Sequence, residues 1–151
     1  MLINKKNTKA FSLIEVLIFI SILSIFFVAV STVTVSSLRN MKINEHKILA
    51  RYYAEQLLEW VRDQKEADWI VFLSKSAVDP GKRYCFNSPT LSWPSEGQCT
   101  NYGLLNFFKR ELKLVTTSSG SQINALVTIN WQEVGNNYSI PLATVFSIWE
   151  E

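Results

Sequence analysis

Few residues in this chain are placed so as to do chemistry, and the most unusual of them is Glu15. It is the only charged side chain in the 25 residues from Phe11 to Val35, a run otherwise built from apolar residues, serine and threonine. A carboxylate held in bilayer hydrocarbon costs roughly 2.5–3.5 kcal/mol at a helix centre and less near an end, so Glu15 calls for a compensating positive group. Cys85 and Cys99 are the only thiols and lie in a segment containing Pro89, Pro94 and Gly97. In an oxidising compartment they could close a loop of about 15 residues worth roughly 3 kcal/mol; otherwise they stay as two reduced thiols. His46, the one histidine, falls on a predicted helix surface far from both cysteines, which leaves no metal-ligand spacing. There is no catalytic triad and no glycine-rich phosphate loop. The expectation is a chain with no catalytic residues, cofactor or metal, and not an enzyme. Asp63, Glu66 and Asp68 read as solvated acids near a helix end. Lys109, Arg110 and Lys113, beside Phe107 and Phe108, could touch nucleic-acid phosphates, but residues on a strand alternate between faces, so a solvated side is expected. Asn137-Tyr-Ser139 fits a glycosylation tripeptide, too short to carry weight alone.

Phe11 to Val35 as a helix would extend roughly 37 Å against a hydrocarbon core of roughly 30 Å, enough to span a membrane. Ser21, Ser24, Ser31, Thr32 and Thr34 suit close packing between helices, or simply bond back to the preceding turn of their own helix. Lys5, Lys6 and Lys9 precede the span, but Arg39, Lys42, Lys47 and Arg51 follow it, so charge counting does not decide orientation. With neither proline nor glycine between Phe11 and Ala77, the helix is expected to run to about residue 66. Beyond the span an apolar stripe of Leu38, Met41, Leu49, Tyr52, Tyr53, Leu57 and Trp60 should pack on a sheet.

Residues 67–101 read as a connecting region with a helical turn at Trp69–Ser74 and a short strand at Arg83–Asn87. Period-two patterns at Asn106–Thr117, Ala125–Gln132 and Tyr138–Trp149, separated by Ser118–Ser121 and Gly135-Asn-Asn137, predict an antiparallel meander. Pro141 cannot donate a ladder bond, which places the last strand at an edge or gives it a bulge. The predicted fold class is therefore α+β: a long N-terminal helix with an antiparallel sheet packed on its second half. The expected segments are 1–10 leader, 11–35 span, 36–66 amphipathic helix and 67–151 globular domain. The formal charge is +2, and removing the three leader lysines turns it to −1, which makes no case for nucleic-acid binding.

Ala10-Phe11-Ser12-Leu13-Ile14-Glu15 resembles the processing site of type IV prepilins and pseudopilins, where Gly-Phe-Thr-Leu-Ile-Glu is usual. Ala10 and Ser12 stand where that family has Gly and Thr. The resemblance implies that a prepilin peptidase cuts between Ala10 and Phe11 on the cytoplasmic side and methylates the new amino group of Phe11. Glu15, then the fifth residue, would pair with the terminal amine of a neighbouring subunit in an assembly salt bridge. An amine near pKa 7.7–8.0 meets the electrostatic need of Glu15. The closing pattern Val127-Thr-Ile-Asn-Trp131, Ile140-Pro-Leu142 and Ile148-Trp149 resembles minor pilins and the small pseudopilins of type II secretion. Implied partners are the peptidase, other pilin or pseudopilin subunits, a membrane platform protein, the bilayer before assembly and, only for an uptake pilus, nucleic acid. The implied location is the cytoplasmic membrane, single-pass with the globular domain outside, and then the filament. Two other readings of the N-terminus stay open: a secretory signal cut after Ala29-Val30-Ser31, and an uncleaved anchor. Either would make this an extracytoplasmic binding domain that never polymerises.

Overall fold

The computed structural model describes residues 12–148. With no helix breaker in the way, α1 runs over Leu13–Ala67, followed by α2 (Trp69–Ser74) and four strands: β1 (Lys82–Cys85), β2 (Phe108–Thr116), β3 (Gln122–Glu133) and β4 (Asn136–Ser147). Asp68 separates the helices. Its carboxylate accepts the Val71 N–H at 2.9 Å and caps α2, a local role beyond the solvation expected of it.

The chain divides into two units, one ending at Lys42 and one beginning at Ile43. In the first, every described side chain is exposed. Among the described residues, α1 is the helix long and apolar enough to cross a membrane. Its hydroxyls bond back along their own helix, Ser21 to Ile18 O, Ser24 to Ile20 O, Ser31 to Phe27 O, Thr32 to Val28 O and Thr34 to Val30 O. Within one chain this is the second of the two readings of those residues, and it hides their polarity from an apolar surround.

In the second unit the strands form one antiparallel sheet in the order β1-β2-β3-β4. Alternation sends Phe108, Leu112 and Leu114 of β2 and Ile123, Ala125, Val127, Ile129 and Trp131 of β3 to one buried face. They share a core with Ala50, Ala54, Leu57, Leu58 and Val61 of α1. The helix stripe thus differs from the expected one: Leu38, Met41 and Tyr52 are 58%, 64% and 57% exposed, whereas both alanines are fully buried. Small side chains let a helix backbone approach a sheet closely, and a reading weighted towards large apolar residues passes over them.

Strand ends also shift. β3 starts three residues earlier than expected, and β4 starts at Asn136, because the hairpin turn is Val134-Gly135, with φ of 50° and 78°, rather than Gly135-Asn-Asn137. Two consecutive positive φ values define the turn that matches sheet twist, and valine is a poor signal for it. β4 is an edge strand, the first of the two placements Pro141 allows. Ile148 N–H donates to Ser121 O at 3.3 Å, so even-numbered residues of β4 direct their backbone bonds at β3. Pro141 therefore turns its missing donor to the open edge, and its register opposite Thr128 is unbroken. Ile148 lies past the strand and is 44% exposed; Trp149 lies outside the described residues.

The connecting region is ordered around Trp93. Its indole N–H donates to Gln64 Oε1 at 3.1 Å, and its rings sit 5.2–6.3 Å from those of Trp60, Phe72, Tyr84 and Phe86. Gly81 shows why this segment needs a glycine: its φ is +79°, and a Cβ there would meet Leu114 O at 2.6 Å.

Candidate functional site

The first turn of α1 begins immediately after Ser12, whose carbonyl accepts the N–H groups of Glu15 at 3.0 Å and Val16 at 3.3 Å. Glu15 is the acidic residue of that turn, where the unpaired N–H groups and the helix dipole favour a carboxylate by about 0.3–1 kcal/mol. The Ser12-Leu-Ile-Glu15 spacing is also that of a capping box. Glu15 is exposed and stands among exposed apolar neighbours, with Leu13 at 78%, Ile14 at 62% and Leu17 at 55%. The site thus presents one acid on a helix whose side chains are ready to meet another apolar surface. Ala10 and Phe11, the expected cleavage and methylation positions, lie outside the described residues.

Residues 5–31 match the family model of the prokaryotic N-terminal methylation motif. That match, confined to the N-terminal segment, supports a type IV prepilin-like chain. No curated protein and no solved structure matches it. The matched stretch brackets Ala10, Phe11 and Glu15, and the motif implies processing by prepilin peptidase and association with other pilins. An N-terminal motif of this type on an apolar helix suggests membrane anchoring and a structural role. The long helix followed by a four-stranded antiparallel sheet is the α+β architecture of prepilin-like proteins.

The other residues singled out in the sequence lie in the globular unit. Cys85 and Cys99 are joined in a disulfide, with Cα atoms 5.0 Å apart. Glu111 Oε1 accepts the Cys99 N–H at 2.8 Å, which ties the same loop to β2. His46 is not on an open surface: Nδ1 is 2.9 Å from Glu133 Oε2, the side chain is 25% exposed, and the ring is 4.5 Å from that of Phe107. Among the described residues no three His, Cys, Asp or Glu side chains cluster as a metal site.

The expectation of a solvated Lys109-Arg110-Lys113 cluster fails at Arg110, which is fully buried. Its guanidinium donates from Nε to Phe86 O at 2.9 Å, from Nη1 to Gln56 Oε1 at 3.0 Å and to Tyr53 O at 3.4 Å, and from Nη2 to Ser88 O at 3.0 Å. One side chain thereby joins α1, β2 and the disulfide loop. Burial pushes its pKa down to about 10, well below the usual guanidinium range, so it is charged at neutral pH. The signal was present in the parity of the strand, since Phe108, Arg110, Leu112 and Leu114 share one face.

Proposed function

We propose that this chain is a structural subunit, a minor pilin or pseudopilin, of a type IV pilus or type II secretion-type filament. Prepilin peptidase cuts between Ala10 and Phe11 and methylates Phe11. The chain waits in the cytoplasmic membrane with its globular unit outside, and a membrane platform protein delivers it to the filament. The observation that carries this reading is Glu15, an exposed carboxylate in the first turn of a helix whose apolar side chains are all exposed as far as Lys42, inside a methylation-motif match. A neighbour's terminal amine neutralises that acid when the helix leaves lipid for the filament core, and apolar helix packing supplies the remaining cohesion. The disulfide supports an extracytoplasmic globular unit, because such bonds persist in oxidising compartments.

Glu15→Leu tests the reading. In cells carrying the assembly machinery, the variant remains in the membrane and is lost from sheared filaments. Assembly of Glu15→Leu at the unaltered level sinks the proposal and favours a tethered binding domain.

A further inference from the structure

The sheet has an outer face, turned away from α1, whose charge is concentrated on β1 and β2. Phe86 N–H donates to Arg110 O at 2.8 Å, so that pair is hydrogen-bonded, and the alternation makes Arg83 and Lys113 a non-hydrogen-bonded pair. In such pairs the Cα atoms stand about 4.5 Å apart and the side chains are closest. Two cations directly opposite one another destabilise a sheet. Neither has an ion-pair partner among the described residues. Glu111, the acid between Lys109 and Lys113, uses one oxygen on the Cys99 N–H, and Lys109 lies over the Tyr102 ring at 4.6 Å. Arg83 and Lys113 line a shallow cleft with Glu111, Leu112, Leu126 and Thr128, so the cleft holds two cations against one acid, and that acid already accepts the Cys99 N–H. The outward positions of β3 from Asn124 to Gln132, and of β4 from Asn137 to Val145, carry no charge.

The complementary surface is on the same molecule. Glu55, Glu59, Asp63 and Glu66 are exposed and recur at helical spacing, on the side of α1 opposite Ala50, Ala54, Leu57 and Val61, which enter the core. Glu55 and Glu59 are held by Arg51 and Arg62 at 2.8 Å. Asp63 and Glu66 hold no ion pair among the described residues. The unmatched acids and the unmatched cations thus lie on opposite sides of the globular unit, and one molecule cannot bring its own together.

We propose that Arg83 and Lys113 on the outer sheet face dock onto Asp63 and Glu66 of a second copy of this chain. The two surfaces are different, so the contact is heterologous, and its repetition builds an open helical array rather than a closed dimer. This rests on the filament reading above and assigns the contact between its globular units. The cost of opposing two cations in the separate subunit is relieved when the neighbour's carboxylates arrive, which favours association.

The test uses the full chain in cells with the assembly machinery. Arg83→Glu with Lys113→Glu, and separately Asp63→Lys with Glu66→Lys, each lower filament recovery about tenfold, and the four-site variant restores it to within about threefold. Separately tagged copies carrying Lys113→Cys and Asp63→Cys form a mixed disulfide dimer. Unchanged recovery in the charge-reversal variants overturns the proposal. Loss without restoration, or no mixed dimer, also overturns it, and would be the result if these cations served nucleic acid or a different protein. If the unaltered chain forms no filament, the reading of function fails; if filaments form but ignore these exchanges, only the docking contact fails.

Discussion

Replacing Arg110 by methionine keeps much of the side-chain volume and removes every donor. Three short hydrogen bonds, to Phe86 O, Gln56 Oε1 and Ser88 O, are lost, each worth about 1.5–3 kcal/mol for a charged donor. An opposing gain comes from no longer burying a cation that has no carboxylate among its hydrogen-bond partners. The fall in its pKa to about 10 corresponds to a penalty on the charged form on the order of 3 kcal/mol. For a base held below its ordinary value, the penalty is fully present at neutral pH and is relieved only as pH rises through about 10. The bonds outweigh the penalty, and the net loss is about 3 kcal/mol, or a melting temperature lower by about 10–20 °C. Arg110→Lys keeps the charge but cannot span three separated acceptors, and loses part of the same stability. Thermal unfolding of the full-length chain in detergent, followed by near-ultraviolet circular dichroism, reads both. A methionine variant melting within about 2 °C of the unaltered chain would refute the assignment of Arg110 as the tie between α1, β2 and the disulfide loop.

Val134 holds φ at 50° in the β3–β4 turn while 64% exposed, so Val134→Asn should add about 1 kcal/mol and raise the melting temperature; a lower value would contradict the strain argument. Cys85→Ser with Cys99→Ser should cost about 3 kcal/mol and increase protease sensitivity in the oxidised protein, and unchanged melting would count against a stabilising bridge. Burial, with Glu96 nearby, raises the Tyr84 pKa above its ordinary value of 10, and its hydroxyl donates to Lys75 O at 2.8 Å. The stability this contributes is present below pH 10 and lost as pH climbs above it. Melting of Tyr84→Phe should therefore decline less steeply on the alkaline side, and an identical pH profile would exclude the effect.

The sequence carries the long helix and the sheet through signals that depend on one residue type or one period. The run without proline or glycine fixed α1, and alternation in β3 fixed its buried face. Position was harder wherever a residue acted against its type. Ala50 and Ala54 centre the helix–sheet contact because they are small, which no hydrophobicity pattern rewards. Val134 makes a turn that glycine, asparagine or aspartate normally announces. Arg110 reads as a surface cation by identity and as a core residue by parity, and tertiary contacts from three segments decide for parity. His46 and Glu133 are 87 positions apart, so their pairing had no local signal. At the helix start, Glu15 stands out because a carboxylate in an apolar run defies ordinary membrane energetics, whereas Ala10 to Glu15 reads as an expected processing site only through its resemblance to type IV prepilins.

Filament entry, as proposed, begins with cleavage ahead of Phe11. Intact mass and N-terminal sequencing of the protein expressed with and without a prepilin peptidase read that step. A peptidase-dependent start at methylated Phe11 is expected; retention of Met1 in the presence of the peptidase, or a start at Thr32, rules the step out.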